Sequence, residues 1–155
     1  MLLNASGGVR PAIYLQSSFL YQSGDGSKSN PYVLKDSEKE ITYNATLLNT
    51  RFSGEYVQLD SKLFRIIKTT AENSKLILND TIDVGDPVIV DYDPLNELNN
   101  TWYNTLSTTT QDMIINGTYN FSDGSSWSGK VGMPLMNGYM IMTHSFDSNA
   151  GQFCL

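Results

Sequence analysis

Three runs in the middle of the chain carry the clearest patterning. Residues 56–59, 63–68 and 75–78 are built from Val, Ile, Leu, Phe and Tyr with polar positions between them. Such residues suit a pleated, half-buried surface. Asp60-Ser61-Lys62 and Ala71-Glu72-Asn73-Ser74 separate the runs and have the composition of hairpin connections. The pattern predicts an antiparallel meander. Upstream, Val9-Arg10-Pro11-Ala12-Ile13-Tyr14-Leu15 reads as a strand, and Pro11 confines it to a sheet edge or to its opening residues. Residues 17–21 offer a second short strand, 32–34 and 88–90 further ones, and 36–40 a solvated loop. The dense turn signal of Gly24-Asp25-Gly26-Ser27-Lys28-Ser29-Asn30-Pro31 marks a boundary, dividing residues 1–30 from a main body at 31–155.

The period then changes. Asp93-Pro94 has the form of an N-cap with proline in the first turn. Leu95, Leu98, Trp102 and Leu106 follow at helical spacing, with Tyr103 beside them. Residues 109–115 predict a second short helix ended by Asn116-Gly117. Beyond Thr118 the chain is rich in Gly, Ser and Asn, with extended pieces at 130–133 and 139–143. The fold class is α+β: an antiparallel meander with one or two short helices and long loops.

Composition narrows the chemistry. The 155 residues suit one domain, or one with a short appendage. Charged residues make up 17%, and uncharged polar and aromatic residues take their place, which argues against an all-helical fold. A net charge of −6, with no run of Lys or Arg, disfavours nucleic acid and anionic membranes as partners. No stretch has the apolar length of a membrane-spanning helix, and Met1-Leu2-Leu3-Asn4 lacks the basic and apolar parts of a signal peptide. Cys154 is the only cysteine, so neither an internal disulfide nor a paired-cysteine metal site is expected.

Each candidate chemistry meets a plainer reading. Gly124-Ser125-Ser126-Trp127-Ser128-Gly129-Lys130 has phosphate-loop spacing, but Val131 replaces the magnesium-binding hydroxyl, and Gly132 and Pro134 oppose the helix required next. It reads as a Gly/Ser-rich loop. His144, the only histidine, reads as a surface or half-buried imidazole. Asp83, Asp86, Asp91 and Asp93 form an acidic cluster read first as a solvated rim with Asp93 capping a helix. Its alternative is a calcium site on Asp83, Asp86 and Asp91, and no other cofactor is expected. Asp25 reads as a turn residue. Among Trp102, Tyr103, Tyr119, Phe121 and Trp127, the first suits the core. Trp127 and Tyr119 are the candidate ligand contacts, because aromatic rings stack on the apolar faces of sugars. The Asn-x-Ser/Thr triplets at Asn44, Asn79, Asn116 and Asn120 arise readily by chance in this composition.

Gly8-Val9-Arg10-Pro11-Ala12-Ile13-Tyr14-Leu15 and Ser23-Gly24-Asp25-Gly26-Ser27-Lys28-Ser29-Asn30-Pro31-Tyr32-Val33-Leu34 resemble the end of an uncharacterised domain repeated in surface and secreted proteins of Gram-positive bacteria. In that family a G-V-R-P strand precedes a G-D-G-T-x-x-N-P-Y turn. Residues 54–78, 98–106, 115–120 and 129–132 resemble its front and middle. The strand also resembles the closing strand of formylglycine-generating-enzyme-like, C-type-lectin-like folds, whose catalytic cysteines have no counterpart here. The family's closing strand stands first in this chain. The resemblance therefore implies that residues 1–30 are either the tail of a preceding repeat or the closing strand of their own domain, and 31–155 the main, truncated or rearranged, domain. On the second view, residues 9–15 pair within the sheet containing residues 63–68. It also implies an extracellular or cell-surface location and a surface partner or glycan.

These readings converge on a non-catalytic surface module serving as spacer, display or adhesion domain. A carbohydrate-binding module using Trp127 and nearby tyrosines is the alternative, and a hydrolase built on the carboxylates from Asp83 to Asp93 is third.

Overall fold

The computed structural model of the chain describes residues 8–16, 19–34, 46–83, 94–120 and 124–133. The first strands are β1 (Gly8–Val9), β2 (Ala12–Gln16), β3 (Leu20–Ser23), β4 (Tyr32–Leu34) and β5 (Thr46–Leu47). The meander follows as β6 (Tyr56–Leu59), β7 (Lys62–Thr69) and β8 (Asn73–Leu78), with β9 at Ile82–Asp83. Two short helices, α1 (Pro94–Glu97) and α2 (Thr108–Met113), precede β10 (Ile114–Ile115), β11 (Gly117–Asn120), β12 (Ser126–Gly129) and β13 (Val131–Gly132). The expected pieces at 36–40, 88–90 and 139–143, together with Asp86, Asp91, Asp93, Phe121, His144 and Cys154, lie outside the described residues.

The meander forms as its pattern predicts, with both connections shorter than expected: Lys62 belongs to β7, and Asn73 and Ser74 to β8. Leu59 pairs with Lys62, so only Asp60 and Ser61 form the loop. Both have positive φ, 54° and 58°. That geometry matches the right-handed twist of the flanking strands. The second connection is held by Thr70, whose Oγ1 accepts from the amides of Glu72 and Asn73 at 3.3 and 3.1 Å. Strands β7 and β8 slip register between Ile66 and Lys68, leaving Ile67 as a bulge.

The principal sheet is mixed, running β10-β2-β8-β7-β6-β4-β3-β5 with β13 also on β2. A wholly antiparallel arrangement is corrected by one pair: β4 lies parallel to β6, matching Tyr32 with Val57. The connecting turn supports that placement. Asp25 Oδ1 accepts from the Ser27 amide at 2.9 Å, and the Gly26 carbonyl accepts from the Tyr56 amide at 2.8 Å.

Strand β2 occupies the interior of the sheet. All five of its residues pair with β8, from Ala12↔Ile77 to Gln16↔Asn73. Its other edge is shared, Leu15 and Tyr14 taking β10, and Ile13 and Ala12 taking β13. The pairing expected of residues 9–15 with the sheet containing 63–68 is therefore present for residues 12–15, through β8, whereas Val9 pairs with Ile82 of β9 in a separate two-stranded sheet. Pro11 does not push the strand to an edge. It sits just before β2, where its missing N–H is not required, and its carbonyl accepts from the Leu78 amide at 2.8 Å.

Ile13, Leu15, Val57, Phe64, Ile66, Leu76 and Leu78 form one buried cluster with Leu48, Leu98, Trp102, Leu106 and Met113. The helical spacing beyond residue 94 thus marks core positions, and Trp102 is core as expected. The segment is not one regular helix: α1 opens into a π-type turn at Leu98–Trp102 and a 3-10 turn at Tyr103–Thr105. Asparagine side chains compete for its carbonyls, since Asn99 Nδ2 donates to Leu95 O at 2.7 Å and Asn104 Nδ2 to Asn100 O. Helix α2 has Ser107 as N-cap, its Oγ accepting from the Thr110 amide at 3.2 Å. It ends at Met113 rather than 115, because Ile114 and Ile115 are drawn into β10 against β2.

Asn99 also joins the helical segment to β13. Its Oδ1 accepts from Val131 N at 3.0 Å and its Nδ2 donates to Val131 O at 2.9 Å. Asn99→Leu should cost about 2 kcal/mol in urea unfolding, from two backbone groups left unpaired at roughly 1 kcal/mol each. Deleting residues 1–21 should abolish the cooperative thermal transition, because β8, β10 and β13 all lose their common partner. An unchanged midpoint would contradict the interior position of β2.

Candidate functional site

The candidate aromatics meet where a small hairpin folds onto the sheet. Strands β11 and β12 are antiparallel with Tyr119 opposite Trp127, although this stretch reads as loop in the sequence. The two rings lie 5.7 Å apart, tilted by 39°. Tyr14 from β2 meets Tyr119 edge-on at 5.3 Å. Glycine makes this contact physically possible: a Cβ at Gly117 would fall 1.9 Å from the Tyr14 ring, and one at Gly129 would fall 1.9 Å from the Trp127 indole.

The two predicted ligand contacts have different surroundings. Tyr119 is only 1% exposed and its hydroxyl donates to Ala12 O at 3.0 Å, so its ring serves as a floor rather than a surface. Burial pushes that hydroxyl far above its usual 10.0, which keeps it protonated. Trp127 is half-buried and carries the part of the pair that solvent reaches. Tyr14 donates to Thr118 O at 3.2 Å, fixing the hairpin over β2.

Lys75 enters the cluster from β8 and is absent from the sequence-level candidates. Its Nζ lies 5.1 Å from the Tyr14 ring centre and 5.2 Å from that of Tyr119. Contacts of this kind are worth about 0.5–2 kcal/mol, more as they are desolvated. Burial holds the Lys75 ammonium below its usual 10.5, and the charge of Lys68 pushes the same way.

The remaining candidates are placed as follows. Asp83 lies in β9 opposite Gly8. Its expected calcium partners Asp86 and Asp91 fall outside the described residues, among which no group of three or more His, Cys, Asp or Glu side chains could hold a metal ion. Asp25 caps its own turn, and hydrogen bonding from Ser27 holds its carboxyl below the usual range. The phosphate-loop-like stretch contributes β12, whose residues pair with β11, and Lys130 Nζ donates to Ile114 O. Tyr103 donates to Gln111 O at 3.1 Å.

A second aromatic cluster lies at β3, β4 and the segment after β5. Tyr21 and Tyr32 are 4.2 Å apart, and the Arg51 guanidinium lies 5.8 Å from each ring and 5.7 Å from Phe52. Glu55 closes it, accepting from Tyr32 Oη at 3.1 Å and from the Phe52 amide at 2.8 Å. The chain matches no protein-family model, no curated protein and no solved structure. Among the described residues, no helix is long and apolar enough to cross a membrane.

The depressed Lys75 value gives a pH test. Below its folded-state pKa, Lys75 is charged folded and unfolded, and its desolvation costs stability. Between that pKa and 10.5 the unfolded chain holds the proton and the folded chain does not, so stability rises with pH. In urea titrations against Lys75→Met, the balance should move in favour of wild type as pH approaches 10.5. A difference independent of pH would contradict the burial of this ammonium.

Proposed function

We propose that the chain is a non-catalytic extracellular or cell-surface module serving as spacer, display or adhesion domain. The observation that supports this reading is how its reactive side chains are used. Tyr119 donates to a backbone carbonyl, Arg51 lies against three rings, and Glu55 bonds a tyrosine and an amide. Each is occupied with packing. The proposal includes the resemblance to repeated Gram-positive surface domains and to C-type-lectin-like folds, in which first and last strands lie together. The pairing of β2, an early strand, with β13, the last among the described residues, supports that likeness. Calcium on Asp83, Asp86 and Asp91 belongs to the same proposal, as an accessory ion.

A second reading, a carbohydrate-binding module, is favoured by the half-exposed indole of Trp127 resting on buried Tyr119. An aromatic ring held rigidly from behind loses little freedom when a sugar stacks on it.

Antibodies against the folded chain should label intact cells of the source organism. Labelling that requires permeabilisation would contradict the surface assignment. On a glycan array, a spacer gives no signal that depends on Trp127, whereas the carbohydrate-binding reading predicts hits lost in Trp127→Ala.

A further inference from the structure

We propose that the outward face of the principal sheet is a docking surface for a carboxylated polysaccharide, with Arg65, Lys68 and Lys75 receiving the carboxylates. This rests on the carbohydrate-binding reading and names the class of glycan.

Phe64, Ile66, Leu76 and Leu78 face the core, so Arg65 and Lys75, which alternate with them, face outward. Two neighbouring cross-strand rows follow. One runs Tyr14, Lys75, Lys68, and the next runs Ala12, Ile77, Arg65, Tyr56, in which Ala12 and Ile77 are buried, Arg65 and Tyr56 half-buried, and Lys68 of the first row is the exposed member. Gln16 with Asn73, and Gln58 with Leu63, flank them. These rows contain three cations and no carboxylate, in a chain with 16 acidic residues against 10 basic ones. Among the described residues the one salt bridge joins Lys62 to Asp60, off this face.

Lys68 and Lys75 stand directly opposite each other, an arrangement that costs stability when the charges are alike. The bulge creates it. Ile66 faces the core, and regular alternation would send Lys68 to the same side. The extra residue Ile67 turns Lys68 outward, opposite Lys75. The sheet thus departs from regularity to bring together two ammonium groups that an anion would relieve. Arg65 is partly tied, its Nε donating to Gly54 O at 3.1 Å while its guanidinium lies 5.4 Å from the Tyr56 ring. Tyr119 links this face to Trp127, lying 5.2 Å from Lys75 Nζ and 5.7 Å from the indole.

Charge complementarity and the adjoining rings select the occupant. A polysaccharide bearing carboxylates offers both spaced negative charge and apolar sugar faces. Nucleic acid carries about one charge per 1.7 Å of duplex, and a net charge of −6 opposes so dense a polyanion. At physiological salt that opposition decays over about 8 Å, so a local cationic patch still attracts a sparser one.

The test is calorimetry on the whole chain with oligogalacturonate, its neutral methyl ester and single-stranded DNA, using wild type, Lys68→Glu and Trp127→Ala. Oligogalacturonate should bind wild type in a salt-sensitive manner, with the ester about tenfold weaker. Lys68→Glu should lose about tenfold in binding while its thermal midpoint rises, because an acid then faces Lys75. A merely structural role for Lys68 predicts no loss of binding from a more stable protein. Equal binding of acid and ester, abolished in Trp127→Ala, overturns the assignment to the cations and leaves the carbohydrate-binding reading standing. Absence of binding to both overturns the proposal, and so does DNA bound as tightly as oligogalacturonate. Acid binding that is weakened by Lys68→Glu and untouched by Trp127→Ala supports the cationic face and removes the indole from the site.

Discussion

The structure depends on backbone pairing along both edges of β2. Five residues of β2 bond β8 on one side and two separate short strands, β10 and β13, on the other. Neither β10 nor β13, at two residues each, has an independent reason to be extended. They become strands because β2 presents an unpaired edge beside a buried face, where unbonded amides and carbonyls are costly. The helical segment is then placed by β13 through Asn99, and α2 by the strand that begins one residue after it. A segment near the chain's start therefore organises elements about a hundred positions later.

This arrangement separates two faces with different work. One is apolar and closed, with Phe64, Ile66 and Leu76 at its centre. The other is covered at its β2 end by the β11–β12 hairpin, whose Tyr119 is driven against Ala12 and Tyr14. Beyond the hairpin the surface carries lysine, arginine and tyrosine side chains. Rigid support and adjacent charge are what a recognition surface needs if binding is not to be offset by ordering its side chains. On the proposed reading, the hairpin and the neighbouring cations would supply such a surface.

How far the sequence could be read follows from how local each determinant is. The meander was legible because strands and turns lie side by side in the chain, and Thr70 and Asp60 carry their own turn chemistry. Pro11 left two places open for this strand, an edge or an interior position with proline at its opening, and the cost of an unfilled sheet edge favoured the interior one that β2 takes. The helix stripe correctly marked Leu98, Trp102 and Leu106 as core, yet missed the distortion caused by asparagine side chains bonding nearby carbonyls. The β11–β12 hairpin was hidden because its glycines resemble loop residues, whereas Gly117 and Gly129 leave room for rings. Trp127 was recognisable as a candidate. Its partner Tyr119 turned out to be floor: both rings lie on the side of the hairpin that faces the sheet, and Tyr119 is the one buried to 1% while Trp127 keeps an exposed part. The cations could not be seen as a group at all. Residues 65, 68 and 75 share a face only after pairing, and only because Ile67 bulges.

Native-state hydrogen exchange tests the central role of β2 most directly. Its amides in Ala12–Gln16 should exchange only through global unfolding, with the same free energy and denaturant dependence as those of Phe64 and Leu76. If the β2 amides exchange through a separate, smaller opening while β7 and β8 stay protected, the strand is an attachment to the sheet rather than the element that assembles it.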